Sequence, residues 1–262
     1  MTFETLDIAV DDAGIVSLRL NRPEKRNALS ATLIHELTAF AAMAAPRRDW
    51  RAVILSGAGA HFCAGGDLGW MQQQMAADRA TRMTEARKLA MMLKALNELP
   101  QPLIGAVHGG AFGGGVGLCA VCDFVVAART AQFGLTETRL GLIPATIGPY
   151  VTARLGEGMT RRVFMSGRIF GADEARDLSL VAQVVDPDQV MPAALVEARA
   201  YLATGPNAVA AAKALARKLG GGATDQAVDA SIAALADVWE TAEARAGVAA
   251  FFDRRPAPWV RQ

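Results

Sequence analysis

The chain has 262 residues, of which 52% are hydrophobic, and its 27 Lys and Arg and 26 Asp and Glu residues leave a formal net charge of +1. A chain of this length and apolar content can bury a sizeable core as one domain with an appendage. A charge this close to zero provides no electrostatic basis for binding nucleic acid or an anionic membrane surface. We therefore expect a small-molecule partner, and neither nucleic acid nor membrane.

Alternating apolar and polar side chains predict a β-ribbon at the start of the chain. The alternation covers residues 5–10 and 15–20, on either side of the turn sequence Asp11-Asp12-Ala13-Gly14. Ser30 is the predicted cap of the helix that follows, because apolar residues recur at helical spacing from Leu33 to Phe40.

Two glycine-rich loops each follow a predicted buried strand. The first loop is Cys63-Ala64-Gly65-Gly66-Asp67, and the second spans residues 109–115. Strand-to-helix corners expose backbone N–H groups, and glycine lets a bound group approach the main chain closely. Two N–H donors from different corners are therefore able to bind one oxygen atom.

The order of the remaining predicted elements indicates a layered α/β core followed by helices. Strands are predicted at residues 52–56, 103–107 and 124–128, with helices near residue 115 and over residues 81–99. From about residue 193 onward, alanine-rich amphipathic helices are predicted at residues 196–202, 209–219, 227–238 and 242–252. We expect a core over residues 1–192 and a C-terminal helical module over residues 193–262.

The cysteines and histidines indicate neither a disulfide framework nor a metal site. Cys119 and Cys122 have C-x-x-C spacing, but they lie in an apolar run, so we interpret them and Cys63 as buried structural thiols. The three histidines share no metal-ligand spacing, and no metal is expected.

An apolar stretch over residues 103–122 has the length of a membrane span. Its glycines, His108 and the adjacent Asp123 favour a buried strand, turn and helix instead. Glu4 and Asp7 stand where a secretion signal has basic and then apolar residues, so we expect a cytoplasmic protein.

Four strings, in order and at matching spacing, resemble the crotonase (enoyl-CoA hydratase/isomerase) superfamily over nearly the whole chain. They span residues 22–29 (RPEKRNAL), 61–68 (HFCAGGDL), 111–115 (AFGGG) and 133–144 (FGLTETRLGLIP). The resemblance implies an α/β fold, a crotonase-like spiral of repeated ββα units that binds acyl-CoA thioesters. It also implies a homotrimer or dimer of trimers formed through the helical tail, and no cofactor beyond the coenzyme A of the substrate.

By position in these motifs, the resemblance assigns three catalytic groups. The backbone N–H groups of Gly66 and Gly114 would form an oxyanion hole for the thioester carbonyl, on which negative charge develops. Glu137 would act as general acid and base beside the acyl α- and β-carbons. The alternative for Glu137 is a surface ion pair with Arg139.

The resemblance assigns coenzyme A binding to residues around the two loops. Lys25 or Arg26 would contact a phosphate, and the backbone near Ala28 and Ala64 would contact adenine, although a solvated surface charge is an alternative for each cation. The complete set of assigned binding residues is Lys25, Arg26, Ala28, Ala64, Gly66, Asp67, Leu68, Gly69 and Gly114.

Gly117 departs from the pattern of two-glutamate hydratases, which carry their other catalytic glutamate at this position. A single glutamate is typical of some enoyl-CoA isomerases. However, residues 67–71, 112–118 and 141–150 resemble bacterial methylglutaconyl-CoA and carboxygeranoyl-CoA hydratases, a subgroup with glycine at this position. We predict a hydratase that acts on branched enoyl-CoA thioesters, with or without a distal carboxylate on the acyl group. In this prediction Glu137 activates the water and also transfers the proton. The alternative is an enoyl-CoA isomerase.

The sequence leaves the acyl-binding residues open. The pocket wall is predicted to include Trp70, Met71, Met75, Phe112 and Ile143, which are equally consistent with ordinary core. Candidate partners for a distal carboxylate are Arg82, Arg87, Arg139 and Arg154.

Two other classes explain less of the sequence. Residues 115–120 imitate the G-x-G-x-x-A fingerprint of dinucleotide-binding enzymes, but the next predicted strand runs into Arg129 instead of ending at an acid. A crotonase-like fold that only binds acyl-CoA or RNA is the second alternative, and the neutral charge and Glu137 argue against it.

Overall fold

The structure, a computed structural model, describes residues 3–260. Within this range, strands form a six-stranded sheet in the order β1-β2-β3-β4-β6-β9 and a three-stranded sheet in the order β5-β7-β8. The strands are β1 (Leu6–Val10), β2 (Ile15–Leu20), β3 (Ala52–Gly57), β4 (Leu103–Val107), β5 (Gly110–Phe112), β6 (Phe124–Ala128), β7 (Gln132–Gly134), β8 (Ile169–Gly171) and β9 (Gln183–Val185).

Helices surround these sheets, and a 3₁₀ helix, Glu137–Leu140, carries the predicted catalytic glutamate. The α-helices of the described residues are α1 (Ala31–Ala44), α2 (Leu68–Ala76), α3 (Arg79–Asn97), α4 (Gly114–Val121), α5 (Gly148–Leu155), α6 (Glu157–Phe164), α7 (Ala172–Asp177), α8 (Val190–Ala200), α9 (Pro206–Leu219), α10 (Asp225–Trp239) and α11 (Ala242–Phe252).

The larger sheet begins with the predicted β-ribbon. Strands β1 and β2 pair antiparallel, and β2, β3, β4, β6 and β9 then follow in parallel. The side chains of β4 are all buried, which explains its continuous apolar sequence, because parallel strands are covered on both faces. Parallel strands bring their carboxyl ends to one edge, so the loops after β3 and β4 emerge close together.

The predicted ββα repeat is confirmed. Strand β4 is followed by β5 and α4, and strand β6 by β7, the 3₁₀ helix and α5. After β3, Cys63 forms a single parallel bridge to Ala111 of β5 before α2 begins. Each turn of the spiral therefore contributes a long strand to the first sheet, a short pairing to the second and then a helix.

The tail helices pack on the core of the same chain. Helix α8, which contains residue 193, packs against β3, β4 and β6. Helix α10 lies along α3, and ion pairs join Arg79 to Asp237 and Arg87 to Asp229, at 2.6 Å and 2.7 Å. The division of the chain at residues 192 and 193 stays a prediction.

The apolar central segment adopts the predicted buried arrangement. Residues 103–122 form β4, β5 and α4. Within residues 3–260, no helix combines the length and apolarity that crossing a membrane requires. The interpretation of the cysteines is also confirmed, because Cys63, Cys119 and Cys122 are buried free thiols. Burial raises the pKa of Cys63 and of Cys122 to about 12, so both are unreactive.

Helix α11 lies directly against the 3₁₀ helix that carries Glu137, and two glycines allow this approach. A Cβ on Gly141, which has φ +68°, would lie 2.9 Å from the Glu243 carbonyl oxygen. A Cβ on Gly247 would lie 2.4 Å from the Leu140 carbonyl oxygen and 2.5 Å from the Trp259 ring. Since main chain cannot move aside as a flexible side chain can, both positions require glycine.

We expect Gly247→Ala to lower the free energy of unfolding by about 2 kcal/mol, because overpacking outweighs the gain in helix propensity. Gly158→Ala in α6 is the matched control, since a Cβ there meets nothing within 4 Å. The control should be neutral or stabilising by up to about 1 kcal/mol. Urea denaturation of both variants measures the difference, and equal stabilities would contradict the proposed close packing of α11.

Candidate active site

A parallel bridge holds the two glycine loops side by side. Cys63 N–H donates to the Gly110 carbonyl at 3.0 Å, and Phe112 N–H donates to the Cys63 carbonyl at the same distance. Gly65, with φ +95°, passes so near the second loop that a Cβ would lie 3.0 Å from the Phe112 carbonyl oxygen. The two predicted corners therefore form one continuous surface.

The N–H group of Gly66 points away from the chain that supports it. Leu29 donates to the Gly65 carbonyl at 2.7 Å and accepts from Asp67 N–H at 3.1 Å, which makes a parallel bridge opposite Gly66. In such a bridge one residue bonds to the two neighbours of its partner, so the partner's own groups face the other side. The Gly66 N–H is therefore directed outward, as an oxyanion donor must be.

The second donor lies at the start of a helix. Gly114 is the first residue of α4, where N–H groups lack an intrahelical acceptor. The preceding residue, Gly113, has φ +47° and donates its own N–H to the Gly134 carbonyl at 2.9 Å. This hydrogen bond fixes the loop relative to β7, and the predicted donor Gly114 follows directly as the first residue of α4.

Glu137 lies beside the second loop, since a Cβ on Gly113 would be 3.0 Å from Glu137 Oε1. Its Oε2 is buried, and no residue of the described chain forms a hydrogen bond to it. Burial raises the pKa of Glu137 to about 7, because the charged carboxylate loses its hydration. The alternative ion pair with Arg139 is absent from residues 3–260, where Arg139 is exposed.

One cavity brings Gly66, Gly114 and Glu137 together. The rest of its wall is almost entirely apolar and comprises Leu29, Ile34, Trp70, Met71, Leu89, Leu142, Ile143, Pro144, Ala145, Thr146, Ile147, Leu235 and Trp239. The structure therefore brings the two loops and the acid to one cavity, and their catalytic roles stay a prediction.

The cavity wall corrects part of the predicted pocket. Trp70, Met71 and Ile143 line it as predicted, whereas Met75 and Phe112 do not. Met75 packs against a small cluster with Leu142 and Trp239, and the Phe112 ring covers β5 and β7 near Gly110 and Gly134. The sequence did not predict that Leu235 and Trp239 of α10 line the cavity. An amphipathic pattern indicates which residues of a helix are buried but not which part of the protein they contact.

The space beside Gly117 is filled. A Cβ at this position would lie 2.6 Å from Ile147 Cγ2 and 3.5 Å from Leu93 Cδ1. Gly117 is buried within α4, and Ile147 lines the cavity. The position of a second glutamate therefore holds an aliphatic side chain from the segment before α5, and Glu137 is the one carboxylate among the described cavity residues.

The predicted coenzyme A segment lies next to the first loop. Lys25 and Arg26 are exposed at the end of a 3₁₀ helix, and the Arg26 carbonyl accepts from Ala64 N–H at 2.9 Å. Ala28 is buried and donates to the Lys25 carbonyl at 3.0 Å. These four residues are therefore brought together, and their contact with coenzyme A stays a prediction.

Asp67, Leu68 and Gly69 form the start of α2. Asp67 caps the helix by accepting from Gly69 N–H at 2.9 Å, and its other oxygen pairs with Arg22 at 3.2 Å. The Arg22 guanidinium also donates to the Ala28 carbonyl at 2.6 Å. Leu68 is 52% exposed and is not among the residues that line the cavity. The Asp67 carboxylate thus joins the first loop to the coenzyme A segment.

Asn27 is a structural residue of this region whose role the sequence reasoning missed. It is fully buried with φ +55°, and its side-chain amide donates to the carbonyls of Ala58 and His61, both at 2.8 Å. Its Oδ1 accepts from Arg22 N–H at 2.9 Å. Asparagine tolerates this left-handed backbone, which is a signal the sequence does contain.

None of the four candidate arginines lines the cavity. Arg82 lies over the Trp239 ring at 5.7 Å and donates to the carbonyl oxygens of residues 74 and 75. Arg87 pairs with Asp229, and Arg154 donates to the Asp123 carbonyl at 3.5 Å. The described cavity wall therefore offers no cation to an acyl group.

Comparisons with known proteins identify the family of this chain. The family described as enoyl-CoA hydratase/isomerase matches residues 11–262. YngF of Bacillus subtilis, named as an enoyl-CoA hydratase/isomerase, is 35% identical over 97% of this chain and 97% of its own length. An enoyl-CoA hydratase from Mycobacterium avium superposes with a TM-score of 0.88 at 28% identity, covering 99% of this chain and 100% of that one. Pseudomonas aeruginosa AtuE superposes with a TM-score of 0.80 at 36% identity, covering 98% and 100%. The chain therefore belongs to the enoyl-CoA hydratase/isomerase (crotonase) family.

Proposed function

We propose that the protein is an enoyl-CoA hydratase that adds water across the 2,3 double bond of a branched enoyl-CoA thioester. The observation that carries this proposal is the meeting of Gly66, Gly114 and Glu137 in the wall of one apolar cavity. The outward N–H groups of the two glycines would bind the thioester carbonyl oxygen. The carboxylate would then face the acyl carbons that gain oxygen and hydrogen.

The reaction would use Glu137 twice. Ionised Glu137 takes a proton from water as the water oxygen bonds to C3, and the electron pair of the double bond moves to the carbonyl oxygen as an enolate. The two N–H donors stabilise that charge. Glu137 then returns the proton to C2, which gives the 3-hydroxyacyl-CoA and restores the carboxylate.

A second function, enoyl-CoA isomerisation, is favoured by the packing at Gly117. With Ile147 in the place of a second acid, one carboxylate has to serve every proton transfer. A double-bond shift needs only one base, which moves a proton between two carbons. A 3-enoyl-CoA substrate distinguishes the functions. An isomerase converts it to the conjugated 2-enoyl-CoA, so the conjugated-thioester absorbance rises. A hydratase acts on the conjugated 2-enoyl-CoA and removes that absorbance.

The cavity favours an uncharged acyl group. A distal carboxylate, as in methylglutaconyl-CoA, would enter a wall whose described side chains include no lysine, arginine or histidine. Burial of a carboxylate without a cation or hydrogen-bond donors is costly. We therefore favour the branched, uncharged form of the substrate over the carboxylated form.

Glu137→Gln should lower kcat for hydration at least about 100-fold, because amide and carboxyl are similar in size but the amide cannot exchange the proton. Glu243→Gln is the matched control, since Glu243 is exposed on α11, and it should retain the wild-type rate. Loss of the conjugated-thioester absorbance measures both. Wild-type turnover by Glu137→Gln would refute the assignment of Glu137.

The pH dependence of kcat/KM should report the ionisation of Glu137. The base must be ionised in the free enzyme, and burial raises its pKa to about 7. Activity should therefore be full well above pH 7 and fall about tenfold per unit below it. Initial rates with an uncharged substrate between pH 5 and pH 9 test this, and a rate that stays constant from pH 9 down to pH 5 would contradict it.

A matched substrate pair tests the acyl preference. 3-Methylcrotonyl-CoA and 3-methylglutaconyl-CoA differ by one carboxylate, and we expect kcat/KM for the charged substrate to be at least about tenfold lower. Initial hydration rates under identical conditions provide the ratio. A preference for 3-methylglutaconyl-CoA would show that the cavity accommodates the charge and would overturn the uncharged assignment.

A further inference from the structure

We infer that the Thr146 hydroxyl positions the attacking water, in the role that a second carboxylate would otherwise fill. The inference rests on the proposed hydration and extends it to a residue outside the two loops and the glutamate. Thr146 lies in the segment before α5, and it lines the same cavity as Gly66, Gly114 and Glu137.

The polar side chains of the cavity wall differ in their access to water. Only 7% of the surface of Thr146 is exposed. Its hydroxyl is nevertheless not among the fully buried side-chain polar atoms of the described residues that lack a hydrogen-bond partner. The indole N–H of Trp70 and Glu137 Oε2 are among them, whereas Glu137 Oε1 is not. Thr146 and Glu137 both line this cavity, so each has a polar atom there that is not fully enclosed by protein.

The packing around Gly117 involves the residue that follows Thr146 in the chain. Ile147 fills the space beside Gly117, since a Cβ there would lie 2.6 Å from Ile147 Cγ2. Thr146 precedes Ile147 in the chain, and both residues line the cavity. The segment that fills the space beside Gly117 therefore also contributes a neutral polar side chain to the cavity wall.

A hydroxyl in this place suits the proton balance of the reaction. Glu137 removes one proton of the water, and the other proton stays on the oxygen that bonds to C3. Thr146 Oγ1 accepts a hydrogen bond from that retained proton and orients the oxygen lone pair toward C3. Thr146 neither gains nor loses a proton, so Glu137 remains the group that titrates.

Thr146→Val tests this role because valine keeps the shape and removes the hydroxyl. We expect kcat for hydration to fall about tenfold or more, with little change in KM, while Thr146→Ser retains activity within about threefold. Exchange of the α-protons of a saturated acyl-CoA in D₂O provides the second measurement. Exchange needs the oxyanion donors and Glu137 but no attacking water, so Thr146→Val should exchange at the wild-type rate.

The two measurements separate the possible failures. Equal hydration by wild type and Thr146→Val would overturn the role of Thr146 and leave the proposed hydratase intact. Parallel loss of hydration and exchange in Thr146→Val would also overturn it, since the residue would then support the whole site. A wild-type protein that exchanges α-protons but hydrates no enoyl-CoA would refute the proposed function itself, and the role of Thr146 with it.

Discussion

The site depends on two single-residue parallel bridges, Cys63 with Ala111 and Leu29 with Gly66. Each bridge joins segments that are far apart in the sequence and belong to different turns of the spiral. The first bridge sets the distance between the glycine loops, and the second directs the Gly66 N–H away from Leu29. Because an oxyanion donor acts only at hydrogen-bond distance, these pairings would hold Gly66 and Gly114 in place as the proposed pair of donors.

Ile147 occupies the space beside Gly117 that a second carboxylate would need. A side chain at position 117 would require Ile147 to shift, since a Cβ there would lie 2.6 Å from Ile147 Cγ2. The aliphatic side chain also keeps this part of the cavity apolar. Gly117 and Ile147 are therefore complementary in volume, and the proposed use of a single carboxylate depends on both residues.

The sequence predicted the five longer strands, β1, β2, β3, β4 and β6, and the glycine corners because these signals are local, whereas Glu137 was assigned from the family resemblance. Hydrophobic patterning marks β3, β4 and β6, and glycine marks positions where main chain approaches main chain. The short strands β5, β7, β8 and β9 were missed, since three residues carry too little pattern. Ile147 and Trp239 were missed for another reason, because their positions in the cavity arise from packing between distant segments.

The helical tail links the acid to the apolar character of the site. Helix α10 supplies Leu235 and Trp239 to the cavity wall, and α11 packs against the 3₁₀ helix of Glu137 through Gly141 and Gly247. An apolar wall strengthens hydrogen bonds to a developing oxyanion, and the same exclusion of water raises the pKa of Glu137 toward neutrality. Because one wall produces both effects, a polar substitution at Leu235 would weaken the proposed stabilisation of an enolate and lower the pKa of Glu137 together.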